Sequence, residues 1–532
     1  MKNLKLMLAL IMSLGLAVAY GQTRMVTGKV TSSKDGSAIA DAEVRLKGGL
    51  ALVKTDESGR FSLEVPASSS DVLVFTHSDH DEVEMFLNNR SELNVTMTEN
   101  VRYNQYGVRV NRNPLYVEER NGILVHESKN NDYKFWFDAR VQVDGAMFFG
   151  GNNDGKPYNA TGNGTSIRRA RFAAKVEFQK NWYAEIDMDI ANSQLELKDA
   201  YLAYTFDNGP ELKAGNFKES FSMEATTTSR YLSFIERPMA VNAFAPSRHV
   251  GVAANYNKDW FLAIGGVYFQ AVDDIEERQF SLDNNKDYGT DEGVSFTGKL
   301  VAMPFYDDMD KGLHFGVAGS YRTPKSDAEV PGTVRYSTRS LTSINRKKYI
   351  DTDLMGNVDH EVLGGLELAG YHKNLRLQGE YLMASVYKNN DEPTENFNGF
   401  YVFGTYLLFG GSYNYNTSEG EFTQVKRGKK WGDLELALRY DYLDMNSDFN
   451  QVMGGAGEGF TLGLNYYANN SVKIMVNYAY LNHDRYASGK NKLYVGHDIN
   501  GNLTSNPKLV ADSEGKAGED YNMLSIRLEV NF

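Results

Sequence analysis

The 532-residue sequence contains no cysteine, which excludes disulfides, thiolate metal centres and a lipid-modified amino-terminal cysteine. After its first 20 residues it also lacks any run approaching the roughly 18 to 20 consecutive apolar residues that a membrane helix needs. Bases are outnumbered by acids, and the formal charge of −13 argues against nucleic-acid binding and gives no global field to draw anions in. Histidine is scarce: there are nine, scattered, and only His249 beside Arg248 joins a dense polar stretch. No Ser/His/Asp constellation of the kind a hydrolytic site requires can be assembled from them, so no catalytic residue, metal or cofactor is expected. With 42% apolar residues, 12% aromatics, 49 glycines and a mean hydropathy of −0.46, what remains is a soluble protein or a β-barrel.

The first residues indicate the compartment. Lys2 and Lys5 precede an apolar stretch from Leu6 to Val18, and Ala17-Val18-Ala19 or Ala19-Tyr20-Gly21 offers the small residues of a cleavage site. Residues 1–21 therefore read as an export signal peptide. Residues 22–99 read as a small all-β unit: Val26, Gly28 and Val30 open a strand, Asp35-Gly36 turns, Ala42, Val44 and Leu46 alternate, and a turn from Thr55 to Gly59 precedes Phe61, Leu63 and Val65. The order GKV, KDG, ADAEVRLKG, TDESGRFSLEVP resembles the carboxypeptidase regulatory-like β-sandwich, a module that often precedes outer-membrane transport barrels. Asp56-Glu57-Ser58 and the run from His77 to Glu82 have metal-ligand chemistry, but turns favour the same residue types for backbone reasons, and polar turns are the expectation. Residues 100–132 lose alternation and read as a linker.

From Tyr133 the pattern changes. Phe135, Phe137, Ala139, Val141 and Val143 alternate with Asp138, Arg140, Gln142 and Asp144, which predicts a strand with one apolar and one wet face. The signature recurs to the final residue, where Leu524, Ile526, Leu528, Val530 and Phe532 oppose Ser525, Arg527, Glu529 and Asn531. Charges on the second face are too frequent for a packed soluble core, whereas a transmembrane barrel puts lipid outside and water inside. Strands are predicted near 134–149, 167–179, 182–190, 197–206, 211–217, 248–257, 260–270, 293–302, 312–322, 357–370, 374–387, 398–410, 432–444, 459–468, 471–482 and 521–532. The predicted fold is all-β: a 16-stranded antiparallel transmembrane β-barrel, residues 133–532, preceded by a small periplasmic β-sandwich. With the C-terminus periplasmic, most short connections fall inside and most long ones outside, as such barrels require. The connection 411–431 breaks the rule by being long on the inner side.

RRARFAAKVEFQKNWYAEIDMDI, LKDAYLAYTF, AGNFKESFSMEATTTSRYLSFIERP and NAFAPSRHVGVAANY, with WGDLELALRYDYLDMN and GEGFTLGLNYYANNSVKIMVNYAYLNHD nearer the end, resemble the phosphate-selective porin O/P family. The resemblance implies an outer-membrane porin, a homotrimer surrounded by lipid and lipopolysaccharide, passing small anions such as phosphate. It also implies that the third external loop, residues 218–247, folds inward and narrows the channel.

That loop and its flanks carry Lys218, Arg230, Arg237 and Arg248, the expected constriction bases, against Glu219, Glu224 and Glu236. Strand parity turns Arg140, Arg169, Arg171, Lys175, Lys213, Arg376, Arg439, Lys473 and Arg527 inward as candidate pore-lining residues, since guanidinium and ammonium N–H groups replace water around an oxyanion. Inward acids are as plentiful, among them Asp138, Asp144, Glu185, Asp187, Glu380 and Asp441, so many of these charges are expected to pair across the wall. The second expectation is an accessory barrel of an envelope complex, docking a periplasmic protein partner through residues 22–99.

Overall fold

The computed structural model describes residues 23–66, 72–100, 102–110, 115–120, 122–150, 161–193, 195–272, 292–324, 330, 332–345, 347–447, 452–483, 487–511 and 520–532. The expected signal peptide and most of the connection 271–292 lie outside them. The chain forms two units, Met1–Pro114 and Leu115–Phe532.

In the first unit, Thr23–Ser32 lies between Arg60–Pro66 and Val95–Met97 in one sheet. A second sheet orders Leu52–Lys54, Glu43–Leu46, Val72–His77 and His80–Phe86. The alternating apolar residues, including Val26, Val44, Phe61, Leu63, Leu73 and Phe75, form one buried cluster. Asp56 works as a turn residue: its Oδ1 accepts from the Ser58 and Arg60 N–H groups at 2.9 and 2.8 Å and from Ser58 Oγ at 2.7 Å. Those bonds, the Arg60 N–H first, hold its carboxyl below the usual range.

The second unit is a closed barrel of sixteen antiparallel strands: β1 (Tyr133–Phe149), β2 (Gly164–Phe178), β3 (Trp182–Asp189), β4 (Glu196–Thr205), β5 (Glu211–Lys218), β6 (Arg248–Lys258), β7 (Phe261–Tyr268), β8 (Ser295–Ala302), β9 (Lys311–Arg322), β10 (Val358–His372), β11 (Leu375–Lys388), β12 (Glu395–Leu407), β13 (Asp433–Asn446), β14 (Met453–Tyr467), β15 (Val472–His483) and β16 (Tyr521–Asn531). Each pairs with its neighbours, and β1 closes on β16 from Arg140 opposite Asn531 to Phe149 opposite Asn522. Every predicted strand is present, because period-two alternation between lipid and lumen is enforced at every turn of the wall. The outer face exposes Phe137, Val141, Val143, Phe315, Val317, Leu366, Leu368, Leu436, Leu438, Leu462, Ile526 and Leu528. No helix of the described residues is long and apolar enough to cross a membrane.

Within the segment expected as a linker, Leu115–Arg120 and Ile123–Ser128 pair as a hairpin, and the second strand continues onto β1 at Lys134–Trp136, just beyond the reach of β16. Its first strand is exposed on both faces, so no one-sided apolar alternation marks it.

The barrel is far from empty. The connection from β5 to β6 lies inside it and contains two short helices, α1 (Met223–Thr226) and α2 (Met239–Phe244). Its Phe221, Phe234, Met239, Val241 and Phe244 bury with Leu363, Leu382, Ala384, Val386, Phe397 and Phe403 of β10 to β12 in one apolar cluster. Fully burying side chains of this size contributes roughly 1.5–3 kcal/mol each. Part of the interior is thus a hydrophobic core, and a cavity is left on the side of β1 to β8.

The candidate pore

The inward loop must satisfy its backbone hydrogen-bonding groups away from water, and the wall supplies the partners. Glu380 accepts from the Glu224 N–H at 2.8 Å, Asn477 Oδ1 from the Ile235 N–H at 2.8 Å, and Asp441 Oδ1 from the Met239 N–H at 2.9 Å. In the other direction, Lys473 Nζ donates to the carbonyls of Arg230 and Leu232 at 2.7 and 3.2 Å, and Arg439 to that of Glu236 at 2.9 Å. A four-membered ionic chain fastens the loop to the barrel seam. Arg168 grips Glu236 at 2.6 and 3.2 Å, Arg527 approaches Glu236 at 3.3 Å, and Arg527 grips Asp144 with two bonds of 2.7 Å. Burial works against the charge of Glu236, but Arg168 and Arg527 hold its carboxyl well below the usual range.

This geometry divides the thirteen sequence-predicted bases. Lys218, Arg230, Arg237, Arg248, Arg140, Arg169, Arg171, Lys175 and Lys213 all line one cavity of about 380 Å³ between the loop and β1 to β8. Arg376, Arg439, Lys473 and Arg527, expected along the pore, do not. They stand on the half of the wall that the loops cover: Arg439 and Lys473 hold the loop backbone, Arg527 holds Asp144, and Arg376 lies 3.9 Å from the Phe422 ring. Parity aims a side chain inward, but what covers it there is decided by distant sequence.

Ten bases and six acids line the cavity. Arg171 faces Asp189 and Asp187 at 3.2 and 3.5 Å, Lys175 faces Asp138 and Glu185 at 3.1 and 3.5 Å, Arg230 pairs with Asp138, and Arg248 with Asp199 at 2.7 Å. Lys299 pairs with Glu367 at 2.8 Å, and Lys213 is 4.0 Å from Glu211. Arg140, Arg169, Arg237 and Lys218 are different, because none forms an ion pair with a described carboxylate. Arg140 donates to the hydroxyls of Thr228 and Ser229, Arg169 to Gln142 Oε1 at 2.8 Å, Arg237 to the carbonyls of Glu224 and Thr227 at 2.7 and 2.6 Å, and Lys218 to those of Ala225 and Thr226 at 2.8 and 2.9 Å.

Three features lie outside the set of residues predicted from the sequence. Arg168 turns inward beside Arg169 because a β-bulge separates the pairs Gln142–Arg169 and Val143–Ile167. Lys299 was within reach of parity, since Ser295, Thr297 and Val301 of the same strand are buried and Phe296 and Leu300 exposed. Finally, the long inner connection after β12 folds back into the barrel. Its Phe422 and Tyr413 bury beside Met223 and Ala369, its Thr417 and Ser418 carbonyls accept from Asn257 and Asn255 at 2.6 and 3.2 Å, and Glu419 and Glu421 join the cavity lining. Burial, then the neighbouring Glu419, push the Glu421 carboxyl up to about 8 against the opposing pull of Lys218 and Lys299.

A closed barrel with a lipid-facing apolar exterior and a charged cavity inside has the architecture of a bacterial outer-membrane porin. The family model described as phosphate-selective porin O and P matches residues 137–501, and the chain belongs to that family. It is 24% identical over 400 residues to Porin O of Pseudomonas aeruginosa, covering 68% of this chain and 86% of that protein. It is 27% identical over 363 residues to an uncharacterized protein of Caulobacter vibrioides, covering 66% and 70%. Among solved structures it is similar to OmpT of Vibrio cholerae (TM-score 0.43, 12% identity, 76% of this chain and 99% of that one) and to an anion-selective porin from Comamonas acidovorans (TM-score 0.44, 11% identity, 75% and 100%).

Proposed function

We propose that this porin passes small anions, phosphate among them, by passive diffusion through the cavity between the inward loop and β1 to β8. The observation that carries the reading is the set of cavity bases without a carboxylate partner. Arg140, Arg169 and Arg237 keep their charge at any physiological pH and donate only to neutral oxygens. An arriving anion meets preoriented donors whose charge is not already cancelled. The paired bases, by contrast, hold the wall in shape and add little net field.

On this reading the loop from Glu219 to Ser247 is the constriction on one side and the connection 408–432 bounds the passage from the other. The protein works as a homotrimer in the outer membrane, with residues 22–99 as a periplasmic carboxypeptidase regulatory-like sandwich. The test is single-channel conductance of the purified protein in planar bilayers, with the chloride current titrated by phosphate. Phosphate should block the current at concentrations where it contributes little to ionic strength. A current unaffected by phosphate would remove phosphate from the reading, and the absence of any conductance would favour the accessory-barrel role.

A further inference from the structure

The barrel end at which β16 finishes carries mostly short connections and the opposite end the long ones, which makes it the periplasmic rim. The exception, the connection from β12 to β13, returns from the interior as Lys426-Arg427-Gly428-Lys429-Lys430-Trp431, four bases in five residues followed by a tryptophan. Nothing nearby cancels that charge. The adjacent carboxylate, Asp433, is fully buried and engaged by the backbone: its Oδ1 accepts from the N–H groups of Phe409 and Leu434 at 3.0 and 2.9 Å, and its Oδ2 from that of Gly428 at 2.7 Å. Arg427 donates to the carbonyls of Lys430 and Ala468 at 3.4 and 3.2 Å and to Asn470 Oδ1 at 3.2 Å, and it lines a second cavity of about 230 Å³. Lys426, Lys429 and Lys430 do not line that cavity. All three are exposed, and among the described residues no carboxylate pairs with them.

The segment is fixed in place. Lys426 exchanges two backbone bonds with Ser412, of 2.9 and 3.0 Å, and a Cβ on Gly428 would fall 2.1 Å from the Phe409 carbonyl oxygen, so the turn is pressed onto the end of β12. An aromatic edge adjoins the bases. Trp431 is 57% exposed, its ring lies 4.9 Å from that of Phe409, and its carbonyl accepts from the Tyr466 hydroxyl at 2.6 Å. Tyr466 and Tyr406 stand on the outward rows of β14 and β12, in line with the exposed Leu464 and Val402, and the exposed Leu408 continues that face to the rim.

Tryptophan and tyrosine rings at the end of a lipid-facing wall sit where headgroups meet hydrocarbon, and lysines clustered beside them attract anionic lipid. A soluble anion would meet the bases and leave Trp431 wet, whereas a phospholipid with a charged headgroup satisfies both parts. We propose that this corner of the rim is a docking site for an anionic phospholipid of the periplasmic leaflet, such as phosphatidylglycerol. Its phosphate lies among Lys426, Lys429 and Lys430, and its glycerol and first methylenes lie against Trp431, Tyr466 and Tyr406. The inference goes beyond the channel reading and does not depend on which ions pass.

The test is native mass spectrometry of the purified full-length protein in detergent, titrated with phosphatidylglycerol or with phosphatidylcholine of the same acyl chains. Each base that reaches an anionic headgroup changes affinity by about fivefold, so the wild type should hold phosphatidylglycerol at least about tenfold more tightly. Lys426→Gln, Lys429→Gln and Lys430→Gln together should bring the two lipids within about twofold. Glycerol 3-phosphate, a headgroup without chains, should leave bound lipid in place. Equal retention of the two lipids by the wild type, or of neither, overturns the proposal without any variant and leaves an acidic periplasmic protein as the occupant. A preference that survives the triple substitution overturns it as well, and displacement of the lipid by glycerol 3-phosphate would overturn it in favour of a soluble phosphate ester.

Discussion

Arg169→Gln should lower anion preference without disturbing the barrel. Arg169 reaches the cavity from β2, and its described bond is to Gln142 Oε1 at 2.8 Å, so its removal strands no buried carboxylate. At roughly 7 Å from a passing anion, one unit charge is worth about 0.6 kcal/mol in bulk water and about 2.4 kcal/mol at the effective dielectric of a protein surface. Water in the passage and salt screening favour the lower value, which disfavours chloride about threefold and favours potassium about threefold, so the chloride-to-potassium permeability ratio should fall roughly eightfold. The assay is the reversal potential of the variant in planar bilayers under a potassium chloride gradient. Lys180→Gln serves as the control, because Lys180 is a 67% exposed turn residue with the same charge change and no place in the cavity. An unchanged ratio in Arg169→Gln, or an equal fall in Lys180→Gln, would refute the claim that unpaired cavity bases set the selectivity.

Three further outcomes follow from the same geometry. Burial and Glu419 keep the Glu421 carboxyl protonated below about pH 8, so raising the pH from 7 to 9 adds a negative charge facing Lys218 and Lys299; anion preference in reversal-potential measurements should fall over that interval, and Glu421→Gln should abolish the fall. Arg527→Met leaves the buried Asp144 without its two 2.7 Å bonds and should destabilise the folded barrel by roughly 3–5 kcal/mol, read as a lower urea midpoint in detergent micelles. Removing residues 414–424 takes the inner connection, with Phe422 and Glu421, out of the barrel; single-channel conductance should rise, and an unchanged conductance would place the narrowest point elsewhere.

The barrel was readable because each strand carries its own signal. Phe137, Val141 and Val143 must meet lipid and Asp138, Arg140 and Asp144 the lumen, and that alternation needs no knowledge of distant sequence. The same logic found five of the cavity bases, Arg140, Arg169, Arg171, Lys175 and Lys213, and the family resemblance of the inward loop supplied Lys218, Arg230, Arg237 and Arg248. Alternation could not tell Arg169 from Arg439, both inward and both buried, because the difference is which of them Phe234 and Glu236 come to cover. A trace of that difference exists in β11, where Leu382, Ala384 and Val386 face inward beside outward Tyr381 and Met383: an apolar inner face on a porin strand signals something packed against it. Arg168 was hidden by a bulge, which shifts parity by one residue and is not encoded in alternation. The hairpin after Leu115 left a different trace, the dipeptide Asn121-Gly122, which suits a two-residue hairpin turn even where the flanking strands lack a clean apolar face.

The most direct measurement is the zero-current potential of the purified wild-type protein in a planar bilayer separating concentrated from dilute potassium chloride. The unpaired Arg140, Arg169 and Arg237 place that potential on the chloride side of zero. A potential on the potassium side would contradict the account.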